Sequence, residues 1–212
     1  MGIGVEQIVV GDDPDPWTAA GFSVEGTVCR VGGVTIRLAG TGGGILGWVL
    51  SDLPAGVDEI EGIATASEAP STVAPAAHHR NGVVGIDHVV MLSPDLDRTI
   101  ATFAGLGVEP RRIRDVEGDN PMRQVFYRLG EVILEVIGSP ATAGGGPASL
   151  WGITYVVADI DATAAHFGDR LGRVKDAVQP GRRIATLRHD AGGLSVPTAF
   201  ISGRGAAGPR PA

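Results

Sequence analysis

What this chain lacks narrows the field first. It has one cysteine, Cys29, in 212 residues, so no intrachain disulfide can form, which suits a reducing compartment. Positive charge is scarce: the formal net charge is −7, whereas binding a phosphate backbone needs a basic face. Long apolar runs are missing. No stretch reaches the about 18 apolar residues that suggest a membrane span, and Met1 to Val10 lacks the basic and apolar regions of a signal peptide. A soluble cytoplasmic protein with neither nucleic acid nor membrane as partner is expected.

Glycine and proline, by contrast, are plentiful, at 33 and 14 residues. That load argues against long helices and for short strands joined by tight turns. Apolar residues make up 43% and charged residues 19%, enough to bury a core without staples. Residues 64–83 are rich in Ala, Pro, Ser and Thr without apolar periodicity and read as a linker. Residues 203–212 read as a disordered tail, and 139–147 as a flexible connection. Compact pieces remain at 1–63, 84–138 and 149–202.

The second and third pieces carry an internal repeat. IDHVVMLSPDLDRTIATF, residues 86–103, aligns without a gap on LWGITYVVADIDATAAHF, residues 150–167. Asp95, Asp97, Thr99, Ala101 and Phe103 fall on Asp159, Asp161, Thr163, Ala165 and Phe167. One inserted residue later, Leu106-Gly107 meets Leu171-Gly172. Each copy opens with a β-prone run. A short helix follows, with apolar positions Leu96, Ile100 and Phe103 matched by Ile160, Ala164 and Phe167. Asp95 and Asp159 stand where an N-cap belongs, and Gly107 and Gly172 where each helix must stop. Three more strands follow, so each copy is βαβββ. Residues 1–63 hold a weaker echo, a degenerate third unit.

A tandem βαβββ repeat opening D-H-V-V, continuing D-L-D and F-x-x-L-G, and closing I-L-E-V-I resembles the vicinal-oxygen-chelate superfamily of glyoxalase, bleomycin-resistance and extradiol-dioxygenase relatives. The resemblance covers roughly residues 84–202. It implies an α+β fold in which paired modules form one curved mixed β-sheet cup, holding a small molecule and a divalent metal such as Zn, Ni, Mn or Fe. Carried over by position, it implies His88 and Glu135 as metal ligands, with Glu135 also catalytic. Independently, strand alternation puts His88 on a face with Ile86 and Val90, and a carboxylate in the apolar strand around Glu135 is costly to bury without a partner. In the other unit the matching positions are Gly152 and Thr198, neither a good ligand, so the ligand set is incomplete.

Each candidate also has a plainer reading. His88 can be a core histidine, and Glu135 can face water or pair with Arg128. Phe126, Tyr127, Trp151 and Tyr155 can line a ligand cavity or simply pack. Arg111, Arg112 and Arg114, followed by Asp115, Glu117 and Asp119, read as a solvated strand edge. His189 falls in an exposed hairpin, His166 on a solvent-facing helix surface, and His78 and His79 in the linker. The runs Gly42 to Gly44 and Gly144 to Gly146 join no strand to a helix in a phosphate-loop pattern. Two function classes follow: a binder of a small organic molecule with an incomplete metal ligand set, or a divalent-metal lyase, isomerase or dioxygenase using His88 and Glu135. A purely structural role is a third. A lone N-terminal unit leaves one sheet face bare, to be covered by the main domain or by a second copy in a homodimer.

Overall fold

The computed structural model describes residues 2–70, 77–141 and 143–204. Residues 71–76 of the expected linker and 205–212 of the expected tail lie outside them. The repeat builds one eight-stranded sheet. The first copy supplies β7 (Val83–Leu92), α2 (Leu96–Gly105), β8 (Arg112–Val116), β9 (Met122–Leu129) and β10 (Val132–Gly138). The second supplies β11 (Ser149–Val157), α3 (Ile160–Phe167), β12 (Lys175–Asp176), β13 (Arg183–Thr186) and β14 (Thr198–Ser202). Strand order is β12-β13-β14-β11-β7-β10-β9-β8. In each copy the first and last strands pair in parallel, and the two first strands meet antiparallel at the centre. This is the tandem βαβββ fold expected from the sequence.

The repeated residues explain why the copies fold alike. Asp95 Oδ1 accepts the Arg98 amide at 3.0 Å, and Asp159 Oδ1 accepts those of Asp161 and Ala162 at 2.8 and 3.2 Å, so both act as N-caps. Phe103 stacks on Tyr127 at 4.7 Å and Phe167 on Phe200 at 5.0 Å, seating each helix on its own sheet half. Gly107 follows the first helix with φ +76°. The second helix ends sooner than expected, at Gly168 with φ +55°, because a short 3-10 turn precedes Leu171.

The N-terminal piece, expected to be one degenerate βαβββ unit ending with the strand at Ile45 to Leu50, opens with a shorter one, β1 (Gly4–Val10), α1 (Pro14–Ala19), β2 (Val28–Val31) and β3 (Val34–Leu38). It then goes further. β4 (Ile45–Ser51) pairs antiparallel with β1, while β6 (Ile63–Ser67), preceded by β5 (Glu59–Ile60), runs parallel to β4. The order β2-β3-β1-β4-β6-β5 repeats the plan of the larger sheet with the outermost strands missing. The first 67 residues thus form a reduced pair of units.

Both ends of the segment read as a linker are folded. Ile63–Ser67 is a strand because Ile63 and Thr65 are buried, and Thr65 Oγ1 accepts the indole N–H of buried Trp48 at 2.8 Å. At the other end His79 is only 3% exposed: its Nδ1 accepts the Ser23 amide and its Nε2 donates to the Arg30 carbonyl, both at 2.9 Å. Two of the repeated threonines hold the small sheet against the large one. Thr99 Oγ1 donates to Glu61 Oε2 at 3.0 Å and Thr163 Oγ1 to the Asn81 carbonyl at 2.9 Å. Phe22 packs on Tyr155 at 5.2 Å, and one hydrophobic core runs through both sheets. The N-terminal sheet therefore covers its apolar face within the same chain.

Candidate functional site

The helices and the N-terminal sheet occupy one face of the large sheet and leave the other concave. Cross-strand register fixes which side chains reach this hollow, since directly paired residues share a face. One row runs Arg112, Phe126, Glu135, Val90 and Gly152; the next runs Arg128, Ile133, His88 and Thr154. The cavity above them measures about 770 Å³ and is bounded on the far side by Lys175, Ile184 and Ile201.

His88 and Glu135 meet at its floor, with His88 Nε2 3.4 Å from Glu135 Oε2. His88 gets there through a bulge. Thr154 pairs with His88 but Tyr155 pairs with Ile86, so Asp87 is an extra residue in β7. Simple alternation, which puts Ile86 on the His88 face, fails here; Ile86 instead shares the Tyr155 side. The bulge lets adjacent side chains touch, and His88 Nδ1 bonds Asp87 Oδ2 at 2.9 Å. Asp87 Oδ1 in turn accepts from Arg182 Nη1 at 2.6 Å, and Arg182 Nε donates to the Ser202 carbonyl. Neither Asp87 nor Arg182 was marked by any motif; both lie on segments that meet only after the sheet closes.

The two carboxyls are driven apart. Burial pushes Asp87 upward, but hydrogen bonds from His88 and Arg182 and the Arg182 charge outweigh it and hold the group below the usual aspartate value. For Glu135 burial wins over the charges of His88 and Arg114 and the amide of Gln124, and the group sits above the usual glutamate value. Asp87 is the settled anion that orients the imidazole. Glu135, with His88 Nε2 beside it, is the group placed to hold or release a proton at the floor. Gln124 Nε2 donates to Glu135 Oε1 at 2.6 Å, which turns its own Oε1 away; that oxygen is buried and has no hydrogen-bond partner among the described residues.

The donor set does not fit a resident metal. His88 and Glu135 are two ligands, and among the described residues no group of three His, Cys, Asp or Glu side chains could hold an ion; catalytic zinc takes about three protein ligands and structural zinc about four. The position matching His88 is Gly152, where a Cβ would lie 2.9 Å from the Pro197 carbonyl oxygen, leaving no room for a side chain. The residue matching Glu135 is Ala199 rather than Thr198: Glu135 pairs with Val90, and Val90's counterpart Thr154 pairs with Ala199. The Thr198 hydroxyl is already spent on the Val196 carbonyl.

Of the aromatic candidates, Phe126 lines the cavity. Tyr127 borders it, but its ring is buried and stacked on Phe103. Tyr155 is a correction: it lies on the helix side, packed between Phe22 and Phe200, because along β11 it is out of step with Gly152 and Thr154, which face the cup. Trp151 is half exposed and lies outside the cavity lining. The arginine run is a second correction, since Arg111, Arg112 and Arg114 line the cavity instead of forming only a solvated edge. Arg128 bonds the Gly130 carbonyl rather than Glu135. His166 is half-buried, with its Nε2 turned inward beside Gly21.

Residues 87–186 match the family model described as Glyoxalase/Bleomycin resistance protein/Dioxygenase superfamily. No curated protein matches the chain. Among solved structures, a mutant of 4-hydroxymandelate synthase from Streptomyces coelicolor is similar with a TM-score of 0.64 at 14% identity, over 97% of this chain and 94% of that one. Methylmalonyl-CoA epimerase from the same organism, in complex with 2-nitronate-propionyl-CoA, matches at 22% identity over 60% of this chain and 99% of its own, with a TM-score of 0.45. The Mycobacterium tuberculosis epimerase matches at 19% identity over 66% and 94%, also at 0.45. The first likeness shows the shared fold; the two epimerase likenesses add no argument.

Proposed function

We propose that this chain, whose residues 87–186 match the model of the glyoxalase, bleomycin-resistance and dioxygenase superfamily, binds a small organic molecule in the cup without a resident metal. The fold alone does not choose among such activities; the site does. The observation that carries the reading is a cavity of about 770 Å³ whose floor offers polar groups and an apolar wall but, among the described residues, no group of three metal-ligating side chains. That volume suits a drug-sized ligand, and a few convergent polar groups in an apolar lining are the usual make-up of such sites. Phe126, Ile133, Ile184 and Ile201 supply apolar contact, and His88, Gln124 and Glu135 supply polar contact. The second reading, a divalent-metal enzyme using His88 and Glu135, draws support from the Asp87 carboxylate behind His88, the arrangement that orients metal-bound imidazoles.

Two measurements on one preparation separate these readings. Fluorescence titration of chelator-treated protein with 1-anilinonaphthalene-8-sulfonate should show saturable binding at one site. Elemental analysis should find metal far below stoichiometric in wild type and in His88→Ala alike. Stoichiometric metal that disappears in His88→Ala, with probe binding abolished by the chelator, overturns the proposal in favour of the metalloenzyme.

A further inference from the structure

The edge strand β8 sends its cations into the cup. Ile113 lies on the opposite face, across from buried Val125 but 51% exposed at the sheet edge, and Asp115 lies there too, in an ion pair with Arg123. Its cations turn inward: Arg112 pairs across the strands with Phe126 and Arg114 with Gln124, both on the cup face. The opposite edge does the same, for Lys175 pairs with Ile184 and faces the hollow. Cations on an edge strand are an ordinary defence against strand pairing when they point to solvent. That need does not account for two opposed edges sending cations into one cavity.

The charge balance points the same way. Six cationic side chains line the cup, Arg111, Arg112, Arg114, Arg128, Lys175 and Arg204, against Glu135 and Asp176. The chain as a whole carries a net charge of −7, so this concentration of positive charge is local. None of Arg112, Arg114 and Lys175 has an ion-pair partner among the described residues. Low-dielectric walls lined by one sign of charge attract the opposite sign. Arginine in particular presents a planar fork suited to carboxylate, sulfonate or phosphate oxygens.

We propose that the cup's ligand is a small organic anion: an acidic head group gripped at the mouth by Arg112, Arg114 and Lys175, and an apolar body lying inward over Phe126, Ile133 and Ile201. Its inner end is uncharged and carries a hydrogen-bond donor, since it meets Glu135 and His88 at the floor. The orientation follows from the separation of charge in the cup, with cations at the rim and the buried carboxyl at the floor. This assignment rests on the small-molecule reading above and names its ligand class.

Two probes with one skeleton isolate the anion's share. 1-Anilinonaphthalene-8-sulfonate carries a sulfonate, and N-phenyl-1-naphthylamine is the same molecule without it. Wild type should bind the sulfonate at least about tenfold more tightly, as expected for charge-assisted hydrogen bonds. The Arg112→Gln/Arg114→Gln double variant should abolish that preference while leaving affinity for the neutral probe unchanged. Arg37→Gln/Arg80→Gln, which removes the same total charge from exposed positions outside the cup, should keep it. Equal affinity for the two probes in wild type, or an unchanged preference in the cup variant, overturns the anion assignment while small-molecule binding stands. Binding of neither probe to wild type sinks both proposals.

Discussion

Replacing Asp87 with Asn tests the structural basis of the site, because it removes one charge from a buried pair and keeps the shape. The Asp87 and Arg182 side chains are 7% and 5% exposed and 2.6 Å apart. The attraction between two such charges roughly repays the cost of taking them out of water, so the pair adds little net stability. Breaking it is another matter: a guanidinium left buried and uncompensated costs about 3–5 kcal/mol. For a chain of this length each kcal/mol moves Tm by about 2–4 °C, giving an expected drop of about 6–20 °C. Urea unfolding followed by circular dichroism gives the same quantity as a free energy. The double variant Asp87→Asn/Arg182→Met should be more stable than Asp87→Asn alone, since it removes both charges. Asp87 also sets a pH signature. Its folded value lies below the unfolded value of about 3.9, so its contribution is present above that pH and is lost as pH falls through the folded value. Asp87→Asn should flatten this acid limb. A loss under about 1 kcal/mol, or a double variant as unstable as the sum of the two single ones, refutes the reasoning.

Burial, opposed by the hydrogen bond to Arg30 and joined by the His78 charge, holds His79 below the usual histidine value. Its stabilising share is therefore present above about pH 6.5 and lost as pH falls toward the folded value; urea midpoints across that window should drop in wild type and stay flatter in His79→Gln. Phe103→Ala and Phe167→Ala each unseat one helix and should cost about 3–5 kcal/mol, read from the same unfolding curves. Glu61, whose side chain is 4% exposed, accepts from Arg98, Thr99 and Thr102. Glu61→Ala should cost about 2 kcal/mol and speed limited proteolysis between the N-terminal sheet and the cup.

The repeat was legible because it is local: Asp95 and Asp159 cap helices, and Phe103 and Phe167 seat them, by rules that act within a few residues. His88 and Glu135 could be paired through the family resemblance, and they do meet. What could not be read depends on register. A single extra residue at Asp87 reverses the face of Ile86, so alternation counted from the sequence misplaced it. Composition misled in the segment after Ala64, where small polar residues look unstructured. Their partners, Trp48 and Ser23, lie far along the chain. The inward turn of Arg112 and Arg114 was hidden for the same reason, since the run Arg-Ile-Arg-Asp does not reveal which face meets the cavity.

Nuclear magnetic resonance mapping with 1-anilinonaphthalene-8-sulfonate tests most directly where the ligand sits. Titrating labelled, chelator-treated protein should move the His88 imidazole signals and the backbone amides of Arg112, Arg114, Phe126 and Lys175 along one saturation curve. Shifts confined to the N-terminal sheet or to the exposed surface around Trp151, with the His88 ring silent, would contradict the account.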